Sequence, residues 1–523
     1  VRGWRGNPWA VLAVLALGFF MTLLDLTIVN IAIPDMVDRL HASLDEVLWI
    51  VNAYTMALAT LVVTAGRLGD MRGKKYLFVL GVAVFTLASL LCGLSTGPAE
   101  LIAFRAVQGV GAALLIPQTL SLLVEVFPAE RRGVALGVWG GVAGLAAVAG
   151  PTVGGLLVTE LDWRWVFFVN LPIGVGVLAA AVRVLPGPRE TVRHRFDLTG
   201  VAIASAALLC LSFALIEGQR YDWNGWIWTL VGASAVLAGL LLLQQRGRQE
   251  QEPLVPFTLF RDRNFSVVNL VGIAVSFGVV GLLLPLTIYL QSVLGFSALK
   301  SGLVLVPLAL GSAIMAGPAG ILSERLGGKY ILALGLVAFA AGLVWIEATA
   351  SVHAHWTAFV APLLVMGMGA GCMFTPMASE VMRNVPPSLT GAASGLNNAL
   401  RQVGSVLAGA VVGAILQARL VSSLTHQARV RSASLPEPAR ERFVAGFSRA
   451  GSHGLEVGAN QRFSGGLAAQ VFGHGFVDAL GPVMLVPAGV LVAGALACLA
   501  LRRPAGPSAN PHGLPLLEPE NVA

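Results

Sequence analysis

A single carboxylate, Asp25, interrupts the first long apolar stretch of the chain, in the run Leu24-Asp25-Leu26-Thr27-Ile28-Val29-Asn30-Ile31-Ala32-Ile33-Pro34. An ionisable group inside a membrane span is costly and as a rule faces a polar cavity or a partner, so it marks function. A carboxyl group that gains and loses a proton while access alternates between two sides is what coupling to a proton gradient requires. Arg105, in Leu101-Ile102-Ala103-Phe104-Arg105-Ala106-Val107-Gln108-Gly109-Val110-Gly111, is the candidate partner. At 1.5 Å per residue, Arg105 lies roughly 10 Å below the outer end of its span at Pro98, and Asp25 roughly 13 Å below Pro34. The two charges are thus at similar depth, and a guanidinium within about 6 Å would govern the ionisation of the carboxyl. Two readings stand open: a pair that exchanges a proton with substrate or water, and a static ion pair that holds two helices together.

Other polar residues fall inside apolar runs. Asn397, Asn398 and Arg401 lie on or near one helical face, and they cannot all face lipid at low cost. Spacing leaves open whether they touch a substrate or brace helices. Asn30, Gln108 and Gln118 are similar candidates for a substrate cavity on the N-terminal side. The fifth apolar run is dense in small residues, with Gly137, Gly140, Gly141, Gly144, Gly150, Gly154 and Gly155 around Pro151. Glycines at i and i+4 let another helix approach closely, and Pro151 removes a backbone donor and can kink the span. Helix packing alone explains that composition. There is no nucleophile–base motif, metal-ligand cluster or Walker A loop, so neither catalysis, a metal, a cofactor nor direct ATP drive is indicated. Cys92, Cys210, Cys372 and Cys498 all fall in apolar runs without metal-ligand spacing and read as small fillers.

The elements that carry these residues follow from composition. Hydrophobic residues make up 56% of the 523 and charged residues 12%, against about 25% charged in a soluble domain. Apolar runs near 20 residues, each long enough for a ~30 Å hydrocarbon core, recur from end to end. About fourteen spans are expected, at 9–33, 45–66, 76–95, 98–122, 133–158, 165–185, 198–217, 225–244, 265–290, 300–322, 329–349, 355–378, 390–418 and 476–501. Arg2 and Arg5 precede the first and no small-residue cleavage site follows it, so it reads as a retained span. Lys and Arg concentrate in loops of one parity, including Arg67, Arg72, Lys74, Lys75, Arg131, Arg132, Arg325 and Lys329. This bias predicts both termini in the cytoplasm of a multi-pass membrane protein. The long segment 419–475 carries seven Arg on the outside, which the rule tolerates because long loops translocate largely regardless of charge. The net charge of +7 comes from this bias and from attraction to anionic lipid; no basic stripe interleaved with aromatics points to nucleic acid.

A decapeptide is duplicated. Gly66-Arg67-Leu68-Gly69-Asp70-Met71-Arg72-Gly73-Lys74-Lys75 follows the second span, and Gly320-Ile321-Leu322-Ser323-Glu324-Arg325-Leu326-Gly327-Gly328-Lys329 follows the tenth. Both read Gly-x-Leu-x-acid-x-x-Gly-x-Lys on the same side, the sign of a parallel repeat. Spans 1–6 then correspond to 9–14. The expected order is an N-terminal six-helix half at 9–185, two inserted helices at 198–244, a C-terminal half at 265–501 and a cytoplasmic tail at 502–523.

These residues resemble the major facilitator superfamily over nearly the whole chain. The loop at 66–75 looks like its motif A. The run from Leu24 to Pro34 resembles the signature of its fourteen-span drug:proton antiporters, as do Trp163-Arg164-Trp165-Val166-Phe167-Phe168-Val169-Asn170-Leu171-Pro172-Ile173-Gly174 and Tyr289-Leu290-Gln291-Ser292-Val293-Leu294-Gly295-Phe296-Ser297. The resemblance implies an all-α major facilitator fold. It also implies that Arg105, in a stretch similar to motif B, takes part in proton coupling with Asp25. Gly150-Pro151-Thr152-Val153-Gly154-Gly155 resembles motif C, which marks exporters. Asp70, Arg72 and Gly73 would form a conformational gate of interhelical contacts, with Glu324 and Arg325 as a weaker counterpart. The tenth span contains no Asp or Glu, which implies low proton stoichiometry and neutral, monocationic or amphipathic substrates. The expectation is a monomeric, cofactor-free, proton-driven exporter of lipophilic compounds. A dedicated exporter of one metabolite, such as a self-made antibiotic, shares every feature. A channel or receptor is the reading from another class, but no repeated pore-lining face supports it.

Overall fold

The computed structural model describes residues 7–40, 42, 44–187, 197–218, 221, 223–249, 253–434, 436–452 and 466–502. Among them every regular element is helical. Six long helices open the chain: α1 (Pro8–Leu40), α2 (Leu44–Arg72), α3 (Lys74–Leu94), α4 (Pro98–Val126), α5 (Ala129–Glu160) and, after a helical turn at Trp165–Phe168, α6 (Asn170–Val184). A pair follows, α7 (Leu198–Glu217) and α8 (Gly225–Arg246). The last six long apolar helices are α9 (Arg263–Ile288), α10 (Val306–Leu326), α11 (Gly328–Thr349), α12 (Val360–Met382), α13 (Thr390–Arg431) and α14 (Gly466–Cys498). Thirteen helices among the described residues are long and apolar enough to cross a membrane; α5, 32 residues long, packs among them.

Packing reproduces the duplication seen in the decapeptides. In the first six helices, α1 lies on α5 and α6, and α4 lies on α2 and α3. In the last six, α9 lies on α13 and α14, and α12 on α10 and α11. The two sets meet through α5 against α10 and α12, and through α13 against α2 and α4. The same exchange of fifth and second helices occurs twice, as a pseudo-twofold relation demands. Gly73 and Gly327, equivalent in the decapeptides, both adopt positive φ, at 101° and 85°. Only glycine enters that region without strain, so the repeat preserves the corner between consecutive antiparallel helices.

The pair α7 and α8 packs on itself, and α7 also touches α2 and α13. Asp197 joins the two helices. Its carboxylate caps α7 by accepting from Gly200 N at 2.9 Å, and it accepts from Gln244 Nε2 at 3.0 Å, Gln245 Nε2 at 2.7 Å and Arg248 Nη1 at 2.8 Å. Burial pushes this carboxyl up, but the hydrogen bonds from Gly200, Gln244 and Gln245 and the Arg248 charge outweigh it and hold the group below the usual range.

Several boundaries differ from the sequence expectation. Segment 419–475 is not a single long loop. Helix α13 continues to Arg431, an amphipathic helix spans Glu437–Ser452, and α14 starts at Gly466 rather than 476. Hydropathy drops at Arg419, yet Leu420, Leu424 and Ala428 keep a buried stripe at four-residue spacing, and no Gly or Pro interrupts 419–431. Residues 300–322 are two helices, Ala298–Val304 and α10, parted at Leu305. Pro307 explains the break, because its ring clashes with the carbonyl four residues earlier. The tail 503–523 lies outside the described residues.

Candidate functional site

Asp25 and Arg105 meet inside the first six helices. Arg105 Nη1 donates to Asp25 Oδ2 and also to Gln108 Oε1 at 2.8 Å, while its Nε donates to the Ile50 carbonyl at 3.0 Å. The other carboxylate oxygen, Oδ1, accepts from Gln108 Nε2 at 2.8 Å and Asn170 Nδ2 at 3.2 Å. Ser89 closes the cluster, accepting from Gln108 and Asn170 and donating to the Phe167 carbonyl at 2.9 Å. The guanidinium carbon lies 4.4 Å from the centroid of the Tyr54 ring, within cation–π range. Five helices thus contribute: α1, α2, α3, α4 and α6. A buried pair is sustained only when remaining donors and lone pairs are met, and here each carboxylate oxygen has a donor.

Burial changes the expected position of Asp25. Its side chain is 0% exposed and that of Arg105 1%, so the pair is sealed within one half, and neither residue is among the described lining of the cavity between the halves. The cavity lies on the other face of α1. It holds about 270 Å³ between the halves, and α1 turns Phe19, Leu23, Leu26 and Thr27 toward it. Leu58, Val62 and Ile116 extend this apolar wall. Helix α13 supplies the polar wall, with Asn398, Arg401, Gln402 and Ser405.

The six cavity candidates therefore separate. Asn398 and Arg401 line the space. Gln108 belongs instead to the Asp25 cluster. Gln118 donates to the Ala65 carbonyl at 2.8 Å and braces α4 on α2. Asn397 turns the other way, donating to Asn269 Oδ1 at 3.0 Å and tying α13 to α9. The side chain of Asn30 lies outside the described residues. Hydrophobicity alone could not separate these residues, because helix rotation decides the outcome and packing sets rotation.

The first decapeptide contacts the other half through Asp70, one of the expected residues, and through Lys74. Asp70 accepts from Gly391 N and Ala392 N, each at 2.8 Å, at the start of α13. Anions are favoured there by the free N–H groups and the helix dipole. Lys74 bridges Glu125 Oε2 at 3.2 Å and Thr390 Oγ1 at 2.7 Å. Arg72, expected in this gate, is exposed. A Cβ on Gly66 would sit 2.4 Å from the Gly391 carbonyl oxygen, so α2 and α13 touch backbone to backbone. In the second copy Arg325 is exposed, and the Glu324 side chain lies outside the described residues. Glu380 of α12 serves that corner, accepting from Gly328 N at 3.2 Å and from Arg383; its contacts stay within one half.

The glycines of α5 divide between two partners. Gly137 faces α10, where a Cβ would come within 2.7 Å of the Ala316 carbonyl oxygen. Gly150 and Gly154 face α1: a Cβ on Gly150 would lie 1.9 Å from Thr27 Oγ1 and one on Gly154 2.7 Å from Ile28 Cγ1. Gly155 is buried beside them; the Pro151 side chain lies outside the described residues. This close seam lies two to three residues from Asp25. Sequence reasoning missed Ser89, Asn170, Tyr54, Lys74 and Glu380. Asn170 stood in a quoted motif and Lys74 in the decapeptide, whereas a lone serine such as Ser89 carries no signal.

Residues 15–409 match the Major Facilitator Superfamily. The Tetracenomycin C resistance and export protein of Streptomyces glaucescens is 36% identical over 422 residues, covering 80% of this chain and 78% of that protein. Multidrug resistance protein Stp of Mycobacterium tuberculosis is 33% identical over 431 residues, covering 82% and 79%. The crystal structure of a human organic anion transporter superposes with a TM-score of 0.58 at 15% identity, over 93% of this chain and 99% of that one, which shows a shared fold. The match in family, the paired halves and the cavity between them agree: this chain belongs to the Major Facilitator Superfamily, as a multi-pass membrane transporter and not an enzyme.

Proposed function

We propose that the protein is a monomeric, cofactor-free efflux antiporter of the fourteen-span drug:proton type. It sits in the cytoplasmic membrane with both termini inside and exports a lipophilic or amphipathic compound against inward proton flow. The observation that carries this reading is the sealed Asp25 cluster directly behind the cavity-lining face of α1. Protonation of Asp25 removes the charge that Arg105 holds, while Ile50 and Gln108 still retain the guanidinium. Helix α1 is then free to shift against α4, and its cavity face and its seam with α5 shift with it. Proton and substrate occupy opposite faces of one helix, so each can bias the arrangement the other meets. The relatives' names support export: one is a Tetracenomycin C resistance and export protein and one a multidrug resistance protein. The former favours the second reading, a dedicated exporter of a single secondary metabolite. Asp25→Asn, which keeps the size of the side chain and removes its charge, is expected to abolish pH-gradient-driven efflux from proteoliposomes while the protein still folds. Unchanged gradient-driven transport would remove Asp25 from coupling.

A further inference from the structure

We infer that the compound carried is an amphipathic monoanion, an apolar body bearing one carboxylate or similarly acidic group that pairs with Arg401. The inference rests on the export reading only for the word carried; the pairing stands on the cavity itself. Among the described residues, Arg401 is the one charged residue lining that space. A guanidinium stays protonated at any physiological pH and presents five donors, and a charge in an apolar wall is costly unless paired. Among the described residues Arg401 forms no ion pair. Its Nε reaches Ser276 Oγ at 3.5 Å and its guanidinium carbon lies 5.3 Å from the Phe374 ring centroid. These contacts orient the fork but offer no anion.

Shape agrees with charge. Asn398, Arg401 and Ser405 recur at helical spacing, so α13 presents one polar stripe. Across from it α1 offers Phe19, Leu23 and Leu26. A bound molecule is therefore oriented, with its acidic end on the C-terminal half and its apolar body on the N-terminal half. A cation would meet unmatched like charge, and a neutral compound would leave the guanidinium unpaired. Of the sequence expectation of neutral, monocationic or amphipathic substrates, the amphipathic part is kept and the charge is reversed. Bidentate pairing with a carboxylate is the geometry that arginine favours.

The test is equilibrium binding to the purified full chain by calorimetry, without any gradient. Three probes share one ring system: 1-naphthaleneacetate, its neutral amide and 1-naphthylmethylammonium. The carboxylate is expected to bind at least tenfold tighter than the amide, and the ammonium weakest. Arg401→Gln should erase the tenfold preference and change amide binding less than twofold, while Arg401→Lys should keep part of it. Equal affinity for carboxylate and amide, or equal loss of both in Arg401→Gln, would overturn the proposal. Should Arg401→Gln fail to fold, Ser276→Ala frees the fork without removing its charge; a reduced carboxylate preference there supports the pairing and an unchanged amide-to-carboxylate ratio in both Ser276→Ala and Arg401→Lys opposes it. A carboxylate preference in a protein whose efflux ignores the pH gradient would sink antiport and leave anion recognition standing.

Discussion

Arg105 shows how much one side chain can hold. It bonds Asp25, Gln108 and the Ile50 carbonyl and lies against Tyr54, a set that needs a planar fork and that a lysine could not reproduce. Removing it leaves a carboxylate buried with only amide donors, and breaking one side of a buried pair costs about 3–5 kcal/mol. Arg105→Ala should therefore lower the melting temperature in detergent more than the double variant Asp25→Asn/Arg105→Ala does, because the double variant strands no charge. If coupling runs through this pair, Arg105→Ala should also shift the pH profile of substrate binding; an unaltered profile would identify a static brace. Both charges were legible in the sequence because each stands alone in an apolar run at matching depth. Their sealing was not legible. Nothing in the local pattern says that α1 turns Leu23 and Leu26 to the cavity and Asp25 away from it, since rotation is fixed by packing with other helices, such as the close approach of Gly150 on α5 to Thr27.

Helices join the two halves at the decapeptide end through a small number of specific contacts. The carboxylate of Asp70 occupies the N-terminus of α13, and α2 lies against α13 with no side chain between Gly66 and Gly391. Asp70→Asn removes the charge from the helix N-terminus and leaves one neutral acceptor for two N–H groups that bond different carboxylate oxygens, a loss of about 2 kcal/mol in a partly buried setting. That corresponds to roughly a 30-fold shift in the balance between closed and open ends. Spin labels at the exposed positions Arg72 and Ser388 should report a new, longer distance population in Asp70→Asn; an unchanged distribution would mean that backbone contact alone holds this end. The duplicated acid and glycines revealed both the repeat and Gly73, whose positive φ requires that residue. The partner of the acid was hidden because backbone N–H groups leave no mark in a sequence. For the same reason Lys74, not Arg72, carries the charge contact: the change of direction at Gly73 decides which cation faces Glu125.

Charge balance over the whole molecule makes the substrate's ionisation measurable without knowing its identity. One proton entering while one monoanion leaves moves two positive charges inward per cycle; a neutral compound gives one and a monocation none. Each charge crossing a membrane potential is worth about 2.3 kcal/mol per 100 mV. An anion exchanged for one proton thus gains about 4.6 kcal/mol per 100 mV, more than a thousandfold in the concentration ratio it can sustain. The architecture suits this arrangement, because Asp25 and Arg401 lie on different halves and neither charge screens the other within one site. Proteoliposomes with a fixed pH difference, clamped by potassium and valinomycin at zero and at an imposed potential, provide the measurement. Transport of 1-naphthaleneacetate should accelerate strongly when the potential favours inward positive charge, and that of its amide about half as steeply on a logarithmic scale. Equal steepness for the two probes would mean that the carboxylate crosses in its protonated, neutral form, and the exchange would then reduce to a single charge per cycle with Arg401 holding a neutral acid.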